Sequence, residues 1–305
     1  MESQLENNLK LLLNSKLASL ERYLNADVLV YNGPIGNLND NFFLKLVEEL
    51  AFAPNHHKIL YVMLTTTGGS ATTVERYANI IRYHYSEVHF IVPDYAYSAG
   101  TIFCMSGDSI YMDYFSVLGP IDPQVLNKEG RWVPALGYLD KINDYMRKAK
   151  EGTLTNVEAE ILKNFDLAEL RSFEQAKDLT IDLLKKWLVK YKFKNWEKHD
   201  NGKDVTYKEK EDRASIIAKH LSDNNKWKSH GRPINIEALK ELKLEIEDYS
   251  ENNELRILIR DYYETMSDYI KLKNFPIFMA LYIILCKCRI RDSEMILVFS
   301  LLLIL

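Results

Sequence analysis

Two short stretches hold residues that could make and break bonds. The first is Thr65-Thr66-Thr67-Gly68-Gly69-Ser70, the second Tyr97-Ser98-Ala99-Gly100-Thr101. A hydroxyl such as that of Ser98 is a latent nucleophile. It needs a base to take its proton and amide donors to hold the oxyanion it creates. Adjacent glycines let backbone N–H groups face outward with no Cβ in the way. A serine at a helix start lies at the positive end of the helix dipole, which favours developing negative charge. Small Ala99 and Gly100 let a carbonyl come close to the backbone. Each stretch taken singly has a plainer meaning. A glycine pair before a helix is most often only a turn, and a serine at a helix start is most often an N-cap. Neither stretch is a phosphate loop, because G-x-x-x-x-G-K-[ST] and G-x-G-x-x-G are both missing from the sequence.

Each stretch needs a strand before it and a helix after it. The patterning predicts strands over 27–31, 58–64, 88–92 and 109–112. It predicts helices over 39–51 (with Asn39 or Asp40 near the N-cap), 71–85 and 99–106. Strands alternating with helices indicate an α/β fold with parallel strands. In such a sheet both turns sit at the carboxyl edge, where ligands bind. Further on, 141–150, 156–191, 208–221, 235–242 and 254–271 read as helices, and 192–213 as a solvated, mixed-charge linker. Glycine supports the same focus. Only 12 occur in 305 residues, and seven of them fall between Gly33 and Gly119.

Composition bounds the function classes. Hydrophobic residues at 47% and charged residues at 27% are globular values. Lys+Arg 39 against Asp+Glu 43 gives a net charge of −4, so no bulk basic excess marks a nucleic-acid binder. Three cysteines make no disulfide framework and point to a reducing, cytoplasmic setting. No metal-ligand spacing occurs, and no cofactor is expected; Cys286 and Cys288 have no further ligand nearby. The first 23 residues form an amphipathic stretch with Leu9, Leu11, Leu12, Leu13, Leu17 and Leu20 on one broad face, read as a docking helix rather than a signal peptide. Two apolar runs, 276–286 and 295–305, flank a charged stretch, and neither reaches the ~18–20 residues that span a bilayer. A buried or subunit-interface segment, a membrane-associated tail and a segment foreign to the ancestral fold are the three readings of this tail.

Taken together, the two turns are more specific. Gly69 and Ser98 are 29 residues apart, with a helix and a strand between them. This order resembles the superfamily of the Clp protease proteolytic subunit and signal peptide peptidase A, the Clp/crotonase fold. Within it, the chain looks most like the serine dehydrogenase proteinase family. The anchors are Thr66-Thr67-Gly68-Gly69, Ala96-Tyr97-Ser98-Ala99-Gly100-Thr101 and Leu118-Gly119-Pro120-Ile121-Asp122-Pro123-Gln124. Ser229-His230-Gly231-Arg232-Pro233-Ile234 also looks like that group's C-terminal part. The resemblance runs from 26 to 150 and more loosely to 271. It implies a superhelix of β-β-α units around a mostly parallel core sheet, with a mainly helical C-terminal region. The segments read as a docking helix (1–25), a peptidase domain (26–190), a charged linker with helices (191–275) and the apolar tail (276–305).

The resemblance also implies roles. Ser98 is the nucleophile, and the Gly69 and Ala99 amides form the oxyanion hole. Gly68, Gly100, Pro120 and Asp122 shape substrate binding. A Clp-type histidine is missing from 118–125. Signal-peptide-peptidase-like enzymes use a lysine instead, and Lys141, 43 residues after Ser98, is the candidate general base. On a helix it shares a face with Tyr138 and Tyr145, which would desolvate it. His230 is the alternative base, and Asp122 could orient a base or shape the cleft. An ATP-independent serine peptidase acting on peptides or proteins, working as a homo-oligomer, is the expectation. Against it stand an inert binding or scaffold protein of the same fold and a crotonase-type acyl-CoA enzyme.

Overall fold

The computed structural model of the chain describes residues 4–36, 40–126, 130 and 132–281. Met1–Leu118 and Ile234–Leu305 form one unit, Gly119–Pro233 a second. The first unit begins with α1 (Gln4–Leu24), β1 (Asp27–Asn32), α2 (Asp40–Ala51), β2 (Ile59–Thr65), α3 (Ala71–His84) and β3 (Glu87–Ile91). It continues with a two-residue β4 (Tyr95–Ala96), α4 (Ala99–Cys104), β5 (Ser109–Met112) and β6 (Val117–Leu118). The second unit has an antiparallel pair, β7 (Gln124–Leu126) and β8 (Trp132–Pro134), then α5 (Ala135–Lys150), α6 (Asn156–Lys163) and α7 (Leu167–Trp187). A π-helical turn at Leu188–Lys192, α8 (Tyr207–Leu221) and α9 (Asn224–Trp227) complete it. The chain then returns to the first unit with α10 (Ile236–Glu241), β9 (Glu247–Asp248), α11 (Asn253–Lys273) and β10 (Phe278–Leu281).

β1 and β2 are near-continuous apolar runs, which suit strands covered on both faces. They lie inside a six-stranded sheet of order β10-β1-β2-β3-β5-β9. Every pairing in it is parallel except β10 against β1, with Val30 opposite Ala280. Alternate side chains go to opposite faces. Val28, Val30 and Met63 pack with Leu13, Leu17 and Leu20 of α1 and with Ile259, Tyr262 and Met266 of α11. On the other face Tyr31 meets Phe43 of α2 and Tyr77 of α3, with ring centroids 6.3 and 6.1 Å apart. Phe90 meets Phe103 of α4 edge-on at 4.8 Å. This double cover fixes the carboxyl end of β2, where the first turn begins, and of β3, from which the chain runs on to β4 and the second turn.

The fold class is as expected: α/β with a mostly parallel core sheet and a mainly helical C-terminal region. Local boundaries differ in several places, and the helix expected over 141–150 begins at Ala135. The long helix expected over 156–191 is two, because Thr155 and Asp166 each cap a new start and a π turn follows Trp187. The linker expected over 192–213 is helical from Tyr207, where Thr206 and Glu209 form a capping box. The beginning of the apolar tail supplies β10 at the sheet edge. Asn39, Cys286, Cys288 and the 295–305 run lie outside the described residues. Among the described residues no helix is long and apolar enough to cross a membrane.

Candidate active site

The first turn leaves β2 at Thr65. Ile35 N–H donates to Gly68 O at 2.8 Å and Ser70 N–H to Ile35 O at 3.0 Å, so Ile35 and Gly69 form a parallel bridge. A parallel bridge of this kind uses the groups flanking Gly69 and leaves the Gly69 N–H out of the ladder. That N–H makes no hydrogen bond among the described residues. Gly69 has φ +144, and a Cβ there would lie 2.0 Å from Ile35 O. Gly68 has φ +101, and a Cβ there would meet Ser98 Cβ at 2.7 Å and Tyr97 O at 2.8 Å. Only glycine fits at both positions. The second of those contacts shows that the two turns touch.

The second turn is tied to the first by backbone. Thr66 N–H donates to Tyr95 O and Tyr97 N–H to Thr66 O, both at 3.0 Å. Gly100 N–H donates to Tyr97 O at 2.8 Å, and Thr101 Oγ1 to Ala96 O at 2.8 Å. A Cβ on Gly100 would fall 2.3 Å from Thr66 Cγ2, so this glycine permits close approach of the turns. Ser98 sits at the N-cap position of α4 with φ 53 and ψ −117, a backbone region that non-glycine residues avoid. Its side chain makes no capping hydrogen bond. It is half-buried. The Ala99 N–H, first in α4, also makes no hydrogen bond among the described residues. The structure therefore brings Ser98, Ala99, Gly68, Gly69 and Gly100 into one place. Cys104, expected in the core, is fully buried.

The base candidates belong to the second unit. Lys141 lies on α5 with 58% of its side chain exposed. Its ammonium is 3.8 Å from Asp144 and stands 5.0 Å over the Tyr145 ring. Tyr138 packs instead on Phe165 and Phe173, with centroids at 6.0 and 5.5 Å. The expected sandwich between two tyrosines is thus corrected to one tyrosine, and the lysine keeps its water. Asp144 also binds Arg147 at 2.7 Å, so Lys141 joins an ion network on a solvated helix face.

Asp122 and His230, 108 residues apart, are brought together. His230 Nδ1 is 2.9 Å from Asp122 Oδ1, and Gln124 Nε2 donates to Asp122 Oδ2 at 3.0 Å. Asp122 is 1% exposed and His230 26%. Pro120 is buried beside them in sequence. Two histidines upstream of Ser98 are engaged elsewhere: His84 packs on Phe52, and buried His89 packs on Tyr61. The sequence reading missed Arg260 and Tyr263 of α11, which contact the loop just before Ser98. Their only trace in the sequence was a polar–aromatic row at helical spacing.

Two uncharacterized proteins of Methanocaldococcus jannaschii are each 28% identical to the chain, over 185 and 204 residues. These matches cover 61% and 67% of this chain and 51% and 58% of the relatives. The chain thus spans about half the length of the curated relatives it matches. Among solved structures, a serine-to-alanine mutant of the 1510-N membrane-bound stomatin-specific protease is similar at a TM-score of 0.43 and 15% identity, covering 73% of this chain and 79% of that one. A lysine-to-alanine mutant of the same protease, in complex with a substrate peptide, gives 0.42 and 16%, covering 72% of each. The profile of the ClpP-like SDH-type serine proteinases matches residues 43–279. That span takes in the whole of the turn pair and most of the chain, and the protein belongs to this family of ClpP-like serine proteinases.

Proposed function

We propose that this chain hydrolyses peptide bonds by covalent catalysis, without ATP. Ser98 Oγ attacks the peptide carbonyl, and the Gly69 and Ala99 N–H groups hold the tetrahedral oxyanion. Lys141 takes the serine proton and returns it to the leaving amine as the C–N bond breaks. Water then hydrolyses the acyl-enzyme by the same route. Gly68 and Gly100 keep the approach to Ser98 open, and peptides or proteins are the substrates of a homo-oligomer. The observation that carries this reading is the Ser98 backbone. A serine that only capped α4 would have an extended φ and would accept a helix N–H. Ser98 does neither, and it holds a strained strand-to-helix turn of the kind that presents nucleophiles in hydrolases.

A second reading of the base has an observation of its own. The Asp122 carboxylate on His230 Nδ1 is the arrangement that orients an imidazole and leaves Nε2 to receive a proton. Asp122 is then a positioning residue rather than a substrate contact, which suits its burial.

Fluorophosphonate labelling of the full chain, read by mass spectrometry, tests both. Ser98 is expected to carry the adduct, and Ser98→Ala to lose labelling and peptide hydrolysis by about 10³-fold or more. If Lys141 is the base, Lys141→Ala loses about 10²–10⁴-fold and His230→Ala keeps near wild-type rates. If His230 is the base, the pattern inverts and Asp122→Asn follows His230→Ala. A folded wild-type chain that neither labels nor cleaves overturns the peptidase reading in favour of a binding or scaffold protein.

A further inference from the structure

α11 carries a row that peptide cleavage as described leaves unused. Arg256, Arg260 and Tyr263 fall at i, i+4 and i+7, one stripe of that helix. Arg260 Nη1 donates to Pro93 O at 3.1 Å and Nη2 to Glu264 Oε1 at 3.1 Å. Its guanidinium lies over the Phe115 and Tyr263 rings, 5.8 and 5.4 Å from their centroids. Buried Tyr263 donates its hydroxyl to Asp94 Oδ2 at 2.9 Å. Burial and the Asp94 charge push the Tyr263 phenol up, so it is a neutral donor. One turn earlier, Arg256 stands 3.3 Å from fully buried Asp113 and donates to Tyr114 Oη at 3.1 Å. The 113–116 turn is itself joined to the same loop. Ser116 Oγ donates to Val92 O at 2.5 Å, and Val117 N–H to Asp94 O at 2.8 Å.

These contacts converge on residues 92–94, four to six residues before the strained serine. A residue in a sparsely populated φ/ψ region costs about 1–3 kcal/mol and persists only where its surroundings over-determine it. Residues 95–97 are fixed by the backbone bonds to Thr66. The upstream end of the segment is held by the 113–117 turn and, through Pro93 O and the Asp94 carboxylate, by side chains from α11. We propose that Arg260 and Tyr263 are positioning residues for Ser98: they anchor the 93–97 segment so that the serine stays presented. The geometry is specific to these side chains. The planar guanidinium spans a carbonyl and a carboxylate at once while stacking on two rings, which a lysine ammonium does not do. A tyrosine hydroxyl on a carboxylate is a charge-assisted bond that phenylalanine lacks.

This inference rests on Ser98 being the nucleophile, so its test reads the anchor and the chemistry separately. Tyr263→Phe, Arg260→Lys and Arg260→Ala are made in the full chain. Amide hydrogen exchange over 94–99 reads the anchor, and Ser98 labelling rate with kcat and KM for a peptide reads the chemistry. Faster exchange confined to 94–99 is expected in Tyr263→Phe and Arg260→Ala. With it come labelling and kcat roughly tenfold lower and an unchanged KM, with Arg260→Lys between wild type and Arg260→Ala. A purely structural role would instead raise exchange across β1 and β2 and leave kcat per folded molecule unchanged. The proposal is overturned if 94–99 exchanges as in wild type, or if it loosens while labelling keeps its rate. Tyr263→Phe, which keeps the ring, decides the matter should Arg260→Ala fail to fold. A wild-type chain that never labels at Ser98 fells the nucleophile reading first, and this one with it.

Discussion

Two serines stand at the heads of helices in the same unit, and the structure uses them in opposite ways. Ser70 has φ −81 and ψ 120, and its hydroxyl accepts the Thr73 N–H at 3.2 Å, so it caps α3. Ser98 has φ 53 and ψ −117 and caps nothing. Ser70 follows core strand β2 and Ser98 follows the two-residue β4, and each stands at the head of a helix. The difference lies in the backbone alone. At an extended φ the side chain folds back over the first turn and satisfies one of its orphan amides. At positive φ it is carried away from that turn, and the free energy the cap would have supplied is forgone. The proposed nucleophilic role of Ser98 would account for keeping it there. One turn spends its serine on stability, and the other holds its serine at a cost to stability.

The largest effect should come from the glycine pair that lets the turns meet. Gly69→Ala places a Cβ 2.0 Å from a backbone oxygen at a φ that alanine avoids. The Ile35 bridge cannot survive unchanged. A loss of roughly 3 kcal/mol or more in denaturant unfolding is expected. Labelling of the folded fraction should fall about a hundredfold, because the amide proposed to hold the oxyanion moves. Wild-type stability together with wild-type labelling would mean that this turn does not build the site.

How much of this could be read from residues alone follows from the same contrast. The Gly68-Gly69 and Ser98-Ala99-Gly100 segments were legible as turns, because residue type reports backbone freedom. Apolar runs such as 27–31 and 58–64 declared buried strands for the same local reason. The φ of Ser98 was not legible, since nothing in the residue type separates a capping serine from a strained one. Pairing of Asp122 with His230 is a side-chain meeting across 108 residues, and only the fold brings it about. Lys141 had a helical face with two tyrosines in sequence, yet Tyr138 was claimed by Phe165 and Phe173, which no local spacing reveals. β10 was hidden inside an apolar tail because an edge strand and an interface segment share one composition.

A smaller effect separates the two serines directly. Ser70→Ala removes a cap and should lower the unfolding free energy in denaturant by about 1 kcal/mol. The rate of Ser98 labelling should not change. A drop in labelling with stability intact would show that Ser70 reaches the site by a route its capping bond does not explain.

A change in stability of similar size has the opposite sign. Ser98→Gly relieves the positive φ, a strain of about 1–3 kcal/mol, because glycine takes that conformation freely. Against this, glycine loses more backbone freedom on folding, about 0.5–1 kcal/mol. No cap is lost, since Ser98 makes none. The net expectation is a gain of about 1 kcal/mol with labelling abolished. Ser98→Ala keeps a Cβ in the strained position and should therefore show the same loss of labelling without the gain. If glycine and alanine prove equally stable, the strain at 98 is no larger than the ~0.5–1 kcal/mol of backbone freedom that glycine loses. The serine would then be separated from Ser70 chiefly by its missing cap.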